Sequence, residues 1–101
     1  MSLIKIMLPV LSASMLMAAS AESIYQTKCA SCHGKHGEKK ALGHSNVIQG
    51  MDPEKFVTLT NALATGEQKG MPIAKIVKKQ FIDKYDKEEI QEVAEYVNKL
   101  K

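Results

Sequence analysis

Two cysteines separated by two residues and followed at once by a histidine, Cys29-Ala30-Ser31-Cys32-His33, constrain this chain more than any other feature. Side chains three apart on a helical turn share one edge, and the residue after the second cysteine sets an imidazole over that same edge. The pattern suits covalent attachment of a haem, in which each thiol adds across a vinyl group to make a thioether and the histidine binds iron as a neutral imidazole. The second ring nitrogen is then expected to donate to a backbone carbonyl that fixes the ring's orientation. A redox-active dithiol would want the pair at the start of a helix that follows a strand, and the chain has no strand-like alternation. A structural zinc would want four ligands, and only His33, His36 or His44 could join the two thiols.

Composition agrees with a group inside the core. The 101 residues allow one small domain, and two cysteines rule out a disulfide framework. Of the 45 apolar residues, 15 lie within residues 1–21, which leaves 30 among the remaining 80 and a thin core. Small domains of this kind commonly need a staple or a cofactor.

Residues 1–21 read as a cleaved export signal. They hold a single charge at Lys5, an apolar stretch over 6–19 and the small-residue run Ala19-Ser20-Ala21 before Glu22, so cleavage is expected after Ala21. Pro9, Ser12 and Ser14 interrupt the stretch, and it falls short of the roughly 20 apolar residues of a spanning helix. No cysteine near the cleavage site offers a lipid acceptor. The mature domain, 22–101, carries 13 Lys against 11 acids. A net charge of +2 without any Arg argues against nucleic acid.

Punctuation divides the mature chain into helices. A first helix is expected over about 23–30 with Ser23 as its cap, followed by a glycine-rich loop from 34 to 50. Asp52 as N-cap, Pro53 at the first helical position and Gly66 as the left-handed stop mark a second helix, with Phe56, Leu59, Ala62 and Leu63 facing inward. After the polar loop that ends in Gly70-Met71-Pro72, Ile73, Ile76, Val77 and Phe81 suggest a shorter helix. Asp86 and Glu89 form a capping pair for the last helix, whose apolar face is Ile90, Val93, Ala94, Val97 and Leu100. The fold class is one all-α domain.

Cys29-Ala30-Ser31-Cys32-His33-Gly34, a Tyr four residues earlier, the later Gly-Met-Pro and a last helix containing Ala94-Glu95-Tyr96-Val97 resemble the short class I c-type cytochromes of bacteria. The segment 39–45 is similar to the loop of the cytochrome c-553 type. The resemblance covers the whole mature chain. It implies several helices around one haem c, with Cys29 and Cys32 as thioethers, His33 as proximal iron ligand and the first and last helices packed together. There Ile24 or Tyr25 would meet Val93, Tyr96 or Val97.

The sixth ligand has four contenders in the mature chain: Met51, Met71, His36 and His44. Met71 is expected to take it, since Gly70 permits close approach, Pro72 holds the preceding backbone extended, and the family pattern agrees. Met51 precedes a helix start, where an apolar residue packs as a staple. Met and His together favour ferrous iron and leave no open site, so electron transfer without catalysis is expected. An open sixth site would instead make a ligand-binding or peroxidatic haem protein. The haem pocket is expected from Leu42, Val47, Ile48, Phe56, Leu59, Ile73, Ile76 and Phe81. Lys28, Lys35, Lys39 and Lys40 would steer the carrier to acidic partners or merely solubilise a loop. The resemblance implies a soluble periplasmic monomer that meets redox partner proteins transiently: a quinol-oxidising membrane cytochrome complex upstream and a terminal oxidase or peroxidase downstream.

Overall fold

The structure is a computed structural model that describes residues 20–43 and 46–101, with Leu42 described in its backbone only. The expected export segment up to residue 19, the loop residues His44 and Ser45 and the Leu42 side chain lie outside the described residues. All regular structure among the described residues is helical. Helix α1 occupies 20–28 and α2 is the single turn Ala30–His33, with a turn at Cys29 between them. A 3-10 turn at Ala41–Gly43 interrupts the following loop, and α3 (Pro53–Thr65), α4 (Pro72–Lys84) and α5 (Lys87–Asn98) complete the domain.

The helix limits follow from local chemistry. Asp52 accepts the Lys55 N–H at 3.1 Å, Pro53 fills the first helical position, and Gly66 closes α3 with φ 85° and ψ 2°. Helix α5 opens with a complete capping box, in which the Glu89 N–H donates to Asp86 at 2.8 Å and the Asp86 N–H donates back to Glu89 at 3.1 Å. Met71 has the extended backbone that a following proline imposes, φ −66° and ψ 145°, so α4 begins at Pro72. One boundary differs from expectation. Residues 20–22 are already helical, so Ser23 lies inside α1 and caps nothing.

The core forms where α1, α3, α4 and α5 meet. Tyr25, Val93 and Val97 are completely buried, joined by Ile24, Phe56, Phe81, Ile90 and Ala94. Each fully buried aliphatic side chain contributes about 1.5–3 kcal/mol. Tyr25 rests on Tyr96 with ring centroids 5.5 Å apart, which is the first-to-last helix contact expected from the sequence.

Two inward faces are turned from their expected positions. On α3 the buried stripe is Phe56, Thr60 and Ala64, while Leu59, Ala62 and Leu63 are only half-buried. Both stripes satisfy helical spacing. The small side chains at 60 and 64 allow α3 to pack closely against both α4 and α5. On α4 only Phe81 is buried, and Ile73 and Ile76 are 50% and 58% exposed. At 100° per residue, Ile76 lies about 140° around the helix from Phe81, so the two cannot share one face. Of the expected haem-pocket residues, Ile48, Phe56 and Phe81 are buried, Leu59 is half-buried, and Val47, Ile73 and Ile76 are exposed.

Candidate haem site

The turn at Cys29 starts the site. Its N–H bonds the Tyr25 carbonyl at 2.9 Å, which continues α1 by one hydrogen bond, and its own carbonyl accepts the N–H groups of Cys32 at 3.3 Å and His33 at 3.0 Å. Both thiols and the imidazole therefore emerge from one short turn. Cys29 is buried and Cys32 exposed, and neither is in a disulfide. Burial pushes the Cys29 thiol above its ordinary value, against the pull of the Lys78 ammonium. Cys29 also lines a cavity of about 270 Å³ between α1, α3 and α4, walled by Phe56, Thr60, Val77 and Phe81 with Lys78 among its polar groups.

His33 is 8% exposed. Burial, reinforced by the Lys78 ammonium, pushes its imidazole down to about 4, so the ring is neutral at physiological pH. Its Nδ1 is buried without a hydrogen-bond partner. The carbonyl partner expected from the sequence is thus not made by this nitrogen. An unpartnered nitrogen on a buried ring is costly unless something else engages it, and a neutral imidazole is a metal ligand.

The backbone reverses directly after this ring. Gly34 adopts φ 90° and ψ 160°, a region that only glycine enters readily. The His33 carbonyl accepts the Lys39 N–H at 2.9 Å, and the Gly34 carbonyl accepts the Gly37 N–H at 3.2 Å. Further along, Gly50 donates its N–H to the Val97 carbonyl at 3.1 Å, and the Asn98 side-chain amide reaches the Gly50 and Met51 carbonyls at 3.3 and 3.2 Å. The loop is laced to the end of α5.

The two mature-chain methionines have different settings. Met51 packs against the core, as a staple at the α3 start should. Met71 is 39% exposed at the head of α4 and belongs neither to the core cluster nor to the Cys29 cavity. Beside it, a Cβ on Gly70 would lie 3.1 Å from Leu63 Cδ2, so the loop passes tight against α3. His36 is exposed. The site as described therefore unites Cys29, Cys32 and His33 and holds Met71 on a separate segment. Lys78 escaped the sequence reading, because nothing local marks a residue 49 positions from Cys29 as its electrostatic neighbour.

Residues 17–97 match the cytochrome family described as "Cytochrome C oxidase, cbb3-type, subunit III". The chain is also 30% identical over 87 residues to cytochrome c-553 of Nitratidesulfovibrio vulgaris (strain Miyazaki F), covering 86% of this chain and 82% of that protein. Against cytochrome c-553 of Helicobacter pylori strain J99 it is 33% identical over 89 residues, covering 88% and 86%. The chain belongs to the c-type cytochromes of the c-553 type. It is thus an all-α, single-haem electron-transfer cytochrome with covalently attached haem c.

The residues present fit such a group. The chain's only two thiols stand on one turn beside a neutral, buried imidazole with an orphaned nitrogen. No described helix is long and apolar enough to cross a membrane.

Proposed function

We propose that this cytochrome is exported to the periplasm, loses residues 1–21, and there carries single electrons as a mobile monomer. Its donor would be a quinol-oxidising cytochrome complex and its acceptor a terminal oxidase or peroxidase. In this reading Cys29 and Cys32 form the thioethers, His33 is the proximal iron ligand and Met71 the distal one. The observation that carries it is the buried, neutral His33 with an unpartnered ring nitrogen on the same turn as both thiols.

When bound, the haem supplies an iron that takes up and releases one electron. The chain's own residues do the rest. Cys29 and Cys32 would hold the group through their thioethers, and His33, fixed by backbone bonds on both sides, would supply its nitrogen ligand. Three facts support Met71 as the distal ligand: its thioether is not spent on core packing, its backbone is stiffened by Pro72, and Met51 is already committed to the core. Held by a Met71 thioether together with the His33 imidazole, the iron would favour the ferrous state and offer no open site to small ligands, which is why the proposed role is carriage without catalysis. Phe56 and Phe81, both buried, form an apolar wall beside Cys29, which would limit how much water has to reorganise as the charge changes. Lys28, Lys35, Lys39 and Lys40 are all exposed and available to meet an acidic partner.

The test is the visible and near-infrared spectrum of the mature protein, oxidised and reduced, for wild type and Met71→Ala. A low-spin haem c with the weak sulfur-to-iron band in wild type, lost on substitution, is the expected result. A high-spin wild type that binds carbon monoxide at once would overturn the carrier reading in favour of a ligand-binding haem protein. Survival of the band in Met71→Ala would transfer the distal role to Met51.

A further inference from the structure

Tyr25 is completely buried, yet its hydroxyl leaves the apolar core to donate to the Gly34 carbonyl at 2.6 Å. Gly34 is the residue directly after His33. That carbonyl also accepts the Gly37 N–H, and the neighbouring His33 carbonyl accepts the Lys39 N–H. At the surface the Gln26 side-chain amide of α1 donates to the Lys35 carbonyl at 3.2 Å. The Tyr25 hydroxyl ties the reversal to the buried core itself, because the same ring rests on Tyr96 of α5. A phenylalanine would fill the same space and would spare the cost of burying a hydroxyl. The hydroxyl is therefore explained by its bond and not by packing.

We propose that the Tyr25 hydroxyl is a positioning group for the iron centre: by pinning the Gly34 carbonyl it sets how His33 is presented, and it cancels the negative end of a peptide dipole beside the ligand. The proposal rests on the reading of His33 as an iron ligand. Removing the hydroxyl leaves the buried carbonyl with one fewer donor in a low-dielectric setting, where an uncompensated negative dipole end favours the ferric state.

The experiment compares haem-loaded wild type, Tyr25→Phe and Tyr96→Phe by equilibrium redox titration. Tyr96→Phe removes a hydroxyl from the same ring pair without touching the loop. Tyr25→Phe should shift the equilibrium about threefold toward ferric iron, a midpoint about 28 mV lower at 59 mV per tenfold for one electron. Tyr96→Phe should leave it unchanged. Equal shifts in both variants, or none in Tyr25→Phe, would overturn the positioning role. Ferric wild type labelled with ¹⁵N-histidine separates the premise from the proposal. Without a hyperfine-shifted imidazole nitrogen assigned to His33, the ligand reading itself fails. With that signal present and Tyr25→Phe silent, only the positioning role falls. Should Tyr25→Phe not load haem, proton NMR of wild type decides: a slowly exchanging Tyr25 hydroxyl proton with a cross-peak to Gly34 supports the bond, and its absence refutes it.

Discussion

Replacing Gly34 with alanine tests whether the chain reversal after His33 depends on a backbone that only glycine adopts. At φ 90° and ψ 160° a side chain at this position costs about 1–3 kcal/mol in strain. An added Cβ would also run into the Glu38 carboxylate, which accepts the His36 N–H at 3.0 Å. That carboxylate is the far end of an exposed, flexible side chain, so it can swing away and the backbone dominates the cost. Taking about 2 kcal/mol, and about 4–8 °C per kcal/mol for a domain of 60–100 residues, Gly34→Ala should melt about 8–16 °C below wild type. The assay is thermal unfolding of the haem-loaded protein, followed by helical circular dichroism and by the haem absorbance. Two companions resolve the cause. Gly34→Ala combined with Glu38→Ala should recover little, since the carboxylate is the smaller part. Asparagine should be tolerated at Gly66, whose φ 85° and ψ 2° lie in the left-handed helical region, but not at Gly34. A Gly34→Ala protein that melts within about 2 °C of wild type would refute the backbone argument.

Two further predictions concern the distal loop and the surface. Gly70→Ala places a methyl 3.1 Å from Leu63 Cδ2 at a residue whose φ is not positive, so it should displace the Met71 loop without backbone strain. It should weaken the sulfur-to-iron band, and Leu63→Ala should restore it; an unaltered band in the single variant would separate Met71 from the iron or the loop from α3. Lys39→Glu with Lys40→Glu should slow the second-order reaction with the physiological acceptor, and the wild-type rate should fall as salt rises. A rate independent of both charge and ionic strength would remove these lysines from docking.

Much of this protein is written in short range. The Asp52-Pro53 start, the Gly66 stop, the Asp86–Glu89 box and the extended Met71 before Pro72 are choices made within four residues, where capping atoms and ring sterics act without help from the rest of the fold. The thiols and imidazole of 29–33 belong to the same class, because one helical turn brings them together whatever surrounds it. For that reason the attachment motif and the all-α class were legible from the residues alone.

What the local pattern left open was settled by neighbours distant in sequence. Periodicity allowed α3 to bury either Leu59 and Leu63 or Thr60 and Ala64, and close packing against α4 and α5 selected the smaller pair. On α4 Ile76 and Phe81 point about 140° apart, and the roll of the helix chose Phe81 for the core and left Ile76 in solvent. The Tyr25 hydroxyl on Gly34 and the Lys78 ammonium near His33 arise only when separate segments converge. A hydrogen bond or a charge acts over a few ångströms of space and not along the chain. The sequence therefore names the groups that can do the chemistry, and the tertiary fold decides which of them are dry, neutral and held still.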